Sequence, residues 1–218
     1  MISNGKKFAS IGLSLSLLAL STGSGCALIY QMVAGDGTMI EPLFDGLSGK
    51  RVAVVCIVNS TSYGAETAGE QISRQVGNYL RQNVDGIDVV RSENVSDWID
   101  NNNWNEGDFV EVGRGVNADL VVAVEVNSLR LHDGQTLFKG QAAVTTRVYD
   151  TSDKHRLVFD MNDPDYAFPK GHGIPTTDRT EASFRRVFIQ ELGHHIAKKF
   201  YPHPLAEDFA ADAVFYAH

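Results

Sequence analysis

The sequence is poor in cysteine, in basic residues and in long apolar runs. Its 218 residues include two cysteines, which leaves at most one disulfide to stabilise the fold. Lysine and arginine number 19 against 27 aspartates and glutamates, so the net charge is −8. This acidity argues against nucleic acid or anionic headgroups as the main partner. The apolar run at positions 8–20 is too short to span a membrane as a helix.

The sequence also lacks the motifs of common enzymes. It has neither His-Glu-x-x-His nor Gly-x-Ser-x-Gly, which excludes the usual zincin and serine-hydrolase patterns. Gly113-Arg114-Gly115 precedes an apolar strand instead of following one, so it cannot cradle a phosphate in the dinucleotide manner. We therefore expect no enzymatic activity, no cofactor and no small-molecule substrate.

The amino terminus carries an export signal. The pair Lys6-Lys7 precedes the apolar run Phe8–Leu20, and small residues lead from there to Cys26. This order resembles a bacterial lipoprotein signal peptide. The resemblance implies cleavage before Cys26 and acylation of that residue with fatty acids such as palmitate. Plain secretion with cleavage nearby is the alternative, since Gly23 stands where this signal class usually has a leucine-like residue.

The predicted lipid anchor sets the location and the domain boundaries. Ala27 follows in place of the aspartate that retains lipoproteins in the inner membrane of some bacteria, so the resemblance favours an outer-membrane anchor facing the periplasm. With Cys26 acylated, Cys56 is the cysteine left, and its apolar surroundings predict a small buried side chain rather than a nucleophile. The predicted parts are a signal peptide at 1–25, a lipid anchor and tether at 26–49, a single α/β domain at 50–201 and a C-terminal tail at 202–218.

Apolar periodicity predicts that the first half of the domain is parallel. The β-branched run Arg51–Val58 is typical of a strand buried on both faces, and apolar residues recur at helical spacing from Glu66 to Asn83. A short strand at Ile87–Arg91 and two weaker helices, Val95–Asn102 and Asp108–Val116, follow. Alternation of strands with helices indicates parallel pairing through crossover helices.

The second half predicts an antiparallel meander and a long final helix. Strands are expected over Ala118–Leu131, with a bulge near Asn127-Ser128, over Gly140–Asp150 and over Arg156–Met161. An apolar residue recurs every four positions from Arg179 to Phe200, which predicts a helix packed on the sheet; these residues are Phe184, Phe188, Leu192, Ile196 and Phe200. The predicted fold class is α/β (α+β) with a mixed sheet of about five strands.

The segment Asn162–Thr177 is the predicted partner-binding surface. Its prolines and glycines predict an ordered surface loop. The apolar and aromatic side chains suited to a protein partner are Tyr166, Phe168, His172 and Ile174. The alternative is that the loop folds back and covers the sheet edge.

Histidines and aspartates in the same region offer a weaker alternative, a metal site. His194, His195 and His203 lie close in sequence, but zinc or copper needs three or four converging ligands, so a solvated helix face is favoured. Asp160-Met161-Asn162 and Asp163-Pro164-Asp165 lack the glycine turn and distal glutamate of an EF-hand loop. Solvation of a loop is favoured over calcium binding there.

Three stretches together resemble a known family. They are Arg51-Val52-Ala53-Val54-Val55, Val116-Asn117-Ala118-Asp119-Leu120-Val121-Val122 and Thr146-Arg147-Val148-Tyr149-Asp150-Thr151. In order and spacing they resemble the α/β domain shared by the periplasmic part of the curli secretion lipoprotein (CsgG-like) and the TolB amino-terminal domain. The resemblance covers roughly Arg51 to Phe200 and implies an envelope protein that acts through protein contacts, without catalytic residues.

The leading hypothesis is a lipid-anchored envelope protein that acts as a non-catalytic interaction or assembly module in a secretion or cell-envelope complex. Its expected partners are the membrane, through the lipid anchor, and either an envelope protein or further copies of the chain. One alternative is a metal-binding or hydrolytic periplasmic lipoprotein that uses His172, His194, His195 or His203. Another is a subunit that self-associates into a ring.

We expect the mature protein from native membranes to carry a diacyl or triacyl group on Cys26. The Cys26→Ser variant should lose this mass, because the acylated sulfur is gone. Mass spectrometry of the amino terminus measures it, with the wild-type chain as the control. An unmodified wild-type terminus would indicate a freely secreted protein and contradict the lipidation.

Overall fold

The structure, a computed structural model, describes residues 37–59, 65–105, 107–152 and 156–208. The predicted signal peptide, Cys26 and the first part of the predicted tether lie outside these residues, as do the last ten positions of the predicted tail. The chain from Met39 onward forms one compact unit. Within the described ranges, no helix combines the length and the apolar composition that crossing a bilayer requires.

The described residues form eight strands and four α-helices. The strands are β1 (Met39–Ile40), β2 (Arg51–Val58), β3 (Asp88–Val89), β4 (Leu120–Asp133), β5 (Leu137–Asp150), β6 (Arg156–Phe168), β7 (Ile174–Pro175) and β8 (His203–Pro204). The helices are α1 (Ala65–Asn83), α2 (Ser92–Asn101), α3 (Phe109–Gly115) and α4 (Glu181–Ala197), with a 3₁₀-helix at Lys198–Phe200 continuing α4.

The main sheet is mixed and has six strands. Its order is β3-β2-β4-β5-β6, and β7 pairs with the start of β5. β2 runs parallel to both β3 and β4, whereas β4, β5 and β6 form an antiparallel meander. β1 and β8 make a separate two-stranded antiparallel sheet. The structure confirms the predicted mixed α/β fold, with six strands where about five were predicted.

Helices cover the sheet unequally. The larger core cluster joins α1 and α4 to one face, and the residues of the predicted α4 stripe are all buried there. The smaller cluster joins α2 and α3 to the opposite face. Its sheet residues come from the β2 and β4 region, with Tyr149 as the contact from β5. The opposite face of the antiparallel half is therefore the least covered part of the sheet.

Local sequence explains where several elements begin and bend. The Thr180 side chain accepts a hydrogen bond from the Ser183 backbone N–H and so caps α4, and Asp108 caps α3 through Glu111 in the same way. The ladder between β4 and β5 shifts between Val126 and Ser128. This shift confirms the bulge predicted near Asn127-Ser128.

The prediction of a loop at 162–177 is wrong for the first part of this segment, because β6 continues through Asn162 to Phe168. β6 is an edge strand, and its ladder with β5 shifts between Ala142 and Val144, opposite Pro164. A proline is tolerated in such an irregular edge position because no ladder hydrogen bond from its nitrogen is needed there. After Phe168 the chain turns and pairs again with β5 as β7.

Two helix glycines distinguish a tight contact from a loose one. A Cβ on Gly193 of α4 would lie 2.6 Å from Gln75 Cβ of α1, so Gly193→Ala should destabilise the fold by about 1–3 kcal/mol through overpacking. A Cβ on Gly77 would lie 3.3 Å from a Val89 methyl, so Gly77→Ala should be neutral or slightly stabilising through helix propensity. Chemical denaturation measures both. Equal effects of the two variants would contradict the close α1–α4 approach.

Candidate functional site

Polar groups shared by β6 and α4 form the main candidate site. Asp163 stands opposite Val144 in the β5–β6 ladder, and Val144 belongs to the core on the face that α1 and α4 cover. The Asp163 side chain therefore points toward α4. His195 and Lys199, four residues apart at the end of α4, meet it there. We call Asp163, His195 and Lys199 the β6–α4 cluster.

The β6–α4 cluster is a buried ion pair with a histidine beside it. Lys199 Nζ lies 2.7 Å from Asp163 Oδ2, and His195 Nε2 lies 3.4 Å from the same oxygen. Tyr166 stacks on the His195 ring with centroids 4.4 Å apart. The backbone carbonyl of Lys199 accepts a hydrogen bond from the Leu43 N–H. The cluster thus ties together β6, α4 and the segment that precedes β2.

Burial and charge set the protonation states of the cluster. The contact with His195, followed by that with Lys199, lowers the pKa of Asp163 below its usual range despite the opposing effect of burial. Burial lowers the pKa of His195 and of Lys199, and in both cases the Asp163 carboxylate opposes this effect. At neutral pH the carboxylate is therefore ionised and the imidazole is neutral.

A second set of charges holds the beginning of the C-terminal tail. Lys198 Nζ lies 2.5 Å from Asp208 Oδ1, and Lys170 Nζ donates to the Asp208 backbone carbonyl at 2.6 Å. Burial raises the pKa of Asp208, but the hydrogen bond and charge of Lys198 outweigh it and lower that pKa. The predicted tail is fastened to the domain as far as Asp208.

Two small cavities border these charges. One, of about 190 Å³, lies beside Ile40, Leu43, Met161 and Lys198. The other, of about 520 Å³, lies beside Pro164, Tyr166 and Lys170, and both cavities also contact Asp163, His195 and Asp208. Among the described residues, no serine, threonine or cysteine lines either cavity. Since Asp163 and Lys199 neutralise each other, the arrangement is suited to positioning elements and to seating a small side chain.

The three histidines of the metal alternative do not share one site. The nearest carboxylates are Glu207 for His194, Asp163 for His195 and Asp208 for His203, at 3.7, 3.4 and 3.7 Å. His172 is exposed in the segment before β7. In the part of the chain that the structure describes, no group of three His, Cys, Asp or Glu side chains could hold a metal ion.

His194 is kept neutral by its surroundings. Its ring stacks on Tyr79 with centroids 4.5 Å apart. Burial, followed by the charge of Lys198, lowers the pKa of His194 to about 4. The negative charge of Asp208 opposes this lowering of the pKa but does not reverse it.

The predicted partner-binding residues have different positions. Tyr166 is half-buried and His172 is exposed. Their predicted place in a surface loop is wrong for Phe168 and Ile174, which are buried because β6 and β7 pair with β5 and turn these side chains inward. Whether Tyr166 and His172 bind a partner stays a prediction.

Asp160 and Asp163, two of the three aspartates of the calcium alternative, lie on opposite faces of β6. Asp160 Oδ1 is 3.3 Å from Arg147 Nε on one face, and Asp163 contacts Lys199 on the other. Each carboxylate is therefore matched by a cation of its own.

Cys56 is a free thiol that packs against the larger core cluster, and burial raises its pKa.

Sequence analysis considered Asp163 for calcium binding alone, and it missed Lys198, Lys199 and Asp208. The spacing of His195 and Lys199 places them on one helix face and was an available signal. No local pattern indicated the position of Asp163, because the direction of its side chain depends on β6. The prolines of this segment had predicted a loop in place of that strand. The contacts of Asp208 join residues far apart in sequence, such as Lys170.

Comparison with known proteins gives distant structural neighbours. No protein-family model matches the sequence, and no curated protein sequence matches it. The PelC dodecamer from Paraburkholderia phytofirmans is 16% identical, with a TM-score of 0.44, and the likeness covers 75% of this chain and 98% of that one. Lipoprotein GNA1162 from Neisseria meningitidis is 10% identical, with a TM-score of 0.45 and coverage of 67% and 97%. A minor lipoprotein from Acinetobacter baumannii is 13% identical, with a TM-score of 0.35 and coverage of 69% and 91%.

Two of these neighbours are bacterial lipoproteins, and one forms a dodecamer. Lipidation and assembly are stated here of those proteins. The resemblance of the present chain to CsgG-like and TolB amino-terminal domains stays a prediction.

The ion pair of the β6–α4 cluster should show strong coupling between its partners. Lys199→Met leaves a buried, uncompensated carboxylate and should cost about 3–5 kcal/mol of stability. The double variant Asp163→Leu/Lys199→Met should cost clearly less than the sum of the two single variants, because it leaves no unpaired charge. Urea denaturation measures the cycle.

The exposed pair of Arg74 and Glu70, 3.0 Å apart, is the control. Arg74→Met should cost at most about 1 kcal/mol, because water screens this pair. Additive single effects at Asp163 and Lys199 would contradict the coupling.

Proposed function

We propose that the protein is a lipid-anchored bacterial envelope protein whose α/β domain acts as a non-catalytic interaction or assembly module. The predicted signal peptide supports export, and the residue after Cys26 supports an outer-membrane anchor facing the periplasm. The observation that carries the interaction role is an apolar surface formed in part by the end of the predicted tether.

Exposed apolar side chains concentrate around the β1–β8 sheet. Met39 pairs with Pro204 in this sheet, next to Leu205, and the Leu43 N–H donates to the Lys199 carbonyl nearby. Met39, Leu43 and Leu205 are 51%, 58% and 40% exposed. We call these three residues the β1–β8 patch. A single protein rarely leaves several large apolar side chains exposed together unless they contact a partner.

The β1–β8 patch is close in sequence to the predicted anchor. Met39 follows Cys26 by thirteen residues, which span at most about 45 Å when fully extended. Lipid anchoring would therefore hold the patch within reach of proteins embedded in, or attached to, the same membrane.

The surroundings of the patch favour a protein partner. The cavity of about 190 Å³ beside Ile40 and Leu43 can receive an apolar side chain. Charged groups border it, among them Glu41 and Lys198. An apolar centre with a charged rim is the usual construction of a protein interface.

The test is chemical crosslinking in native membranes, followed by solubilisation and isolation of the protein. We expect wild type to yield a crosslinked species that Leu43→Asp reduces at least tenfold, because a carboxylate would be desolvated in the interface. Leu43 is exposed, and so is the residue changed in the control variant described next. Neither substitution should therefore affect folding.

Leu157→Asp on β6 is the matched control, since Leu157 is 44% exposed and lies outside the patch. It should leave the crosslinked species unchanged. Light scattering of the isolated species identifies self-association if its mass is a multiple of the chain. Recovery of monomer alone from wild type, or equal yields from Leu43→Asp and Leu157→Asp, would count against the proposal.

A further inference from the structure

The outer edge of β2 is open beyond the short strand β3. The Lys50 and Val52 carbonyls accept hydrogen bonds from the N–H groups of Asp88 and Val90, both at 2.9 Å. β3 ends at Val89, so the ladder goes no further. Along Val54–Val58 the structure shows pairing with β4 and, among the described residues, no strand on the other side.

Backbone groups of alternate residues point to this open edge. The Lys50 and Val52 carbonyls face β3, whereas the Asn59 N–H donates to the Val126 carbonyl on the β4 side at 2.9 Å. Because backbone groups alternate between the two sides of a strand, the N–H and C=O of Val54, Cys56 and Val58 face away from β4. Their spacing of about 7 Å along the strand is what an added strand would match.

A cavity follows this edge. A cavity of about 700 Å³ lies between α1 and α2 and extends along Val54–Val58. Its helical walls include small side chains, among them Ser73 on α1 and Ser96 on α2. A Cβ on Gly69 of α1 would lie 2.8 Å from the Cys56 carbonyl oxygen, so α1 packs directly against the β2 backbone at this point and only a glycine fits there. Trp104 also lines the cavity. We call this cavity the β2 groove.

The rim of the β2 groove is acidic. Glu70 on α1 and Asp100 on α2 line it, and Glu93 lies beside them. Two cations lie nearby: Arg74, which is 3.0 Å from Glu70 and 4.0 Å from Glu93, and Arg91, whose charge also acts on Glu93. Three carboxylates against two guanidinium groups leave one net negative charge at the rim, which attracts a positively charged occupant.

The two edges of the sheet are protected differently. β6 carries Pro164 and Asp160 and has two register shifts, which are the usual features that prevent another strand from pairing. Val54–Val58 carries neither a charge nor a proline. An unprotected strand edge inside a groove is the arrangement used by proteins that bind peptides through strand addition.

We propose that the β2 groove binds an extended, basic segment of a partner protein, which adds as a strand to the outer edge of β2. The N–H and C=O groups that face away from β4 select an extended backbone, and the acidic rim selects lysine or arginine beside apolar residues. A second copy of the chain is disfavoured because each copy carries a net charge of −8. The inference does not depend on the lipid anchor or on the β1–β8 patch.

The probe is a display library of random twelve-residue peptides, selected against the purified full chain in detergent. We expect the selected peptides to alternate apolar with polar residues and to be rich in lysine and arginine. Ser96→Trp should weaken binding of a selected peptide at least tenfold by filling the groove. Asp97→Trp, one position along α2 and exposed, should leave it unchanged.

A charge variant and hydrogen exchange give independent readouts. Asp100→Lys should weaken binding more than Asp97→Lys, although both change the net charge equally. In the wild-type complex, the amides of Cys56 and Val58 should exchange more slowly than in the free protein. Failure to select any peptide, binding insensitive to Ser96→Trp, or protection confined to other strands would overturn the proposal. None of these outcomes affects the crosslinking test, since Leu43 lies outside the groove.

Discussion

The seating of α4 against α1 and the antiparallel half of the sheet is the constraint on which the rest of the structure depends. Phe184, Phe188, Leu192 and Ile196 are fully buried in this contact. This packing requires two glycines. A Cβ on Gly140 of β5 would lie 2.0 Å from the Phe188 ring, and a Cβ on Gly193 would lie 2.6 Å from Gln75 Cβ of α1. Each side chain added at these points would push α4 outward. The resulting position brings His195 and Lys199 to Asp163 and fixes the path of the chain beside Leu43.

Elements whose signal is local could be predicted from the sequence. β2, α1 and the stripe of α4 each depend on the spacing of apolar residues within one segment, and the structure has them where they were expected. The length of β6 could not be predicted, because Pro164 is compatible with a strand only when that strand is at an edge and irregular there. Edge position is a property of the completed sheet. The direction of the Asp163 side chain depends on this edge position of β6, and so does the candidate site.

The uncovered face of the antiparallel half is polar for a physical reason. Arg147 Nη1 lies 2.7 Å from Glu125, and Asn127 at the bulge donates from Nδ2 to Thr145 Oγ1 at 3.2 Å. The Thr145 hydroxyl in turn donates to Asn162 Oδ1 at 3.4 Å. These cross-strand pairs satisfy polar groups on a face that none of the described helices covers. The result is a polar surface, and apolar and backbone contacts with partners are left to other parts of the domain.

Two surfaces with different chemistry therefore lie at opposite edges of the sheet. The β1–β8 patch is near β6, as shown by the Phe44 ring, which is 5.6 Å from that of Phe159. The β2 groove is on the β3 side. The patch offers exposed side chains, which bind by desolvation, whereas the groove offers backbone groups, which bind by hydrogen bonds and select an extended chain. Because α4 and the sheet form one packed body between them, partners at the two surfaces would be held at a fixed separation. An assembly module requires this property, and a rigid α/β domain can supply it.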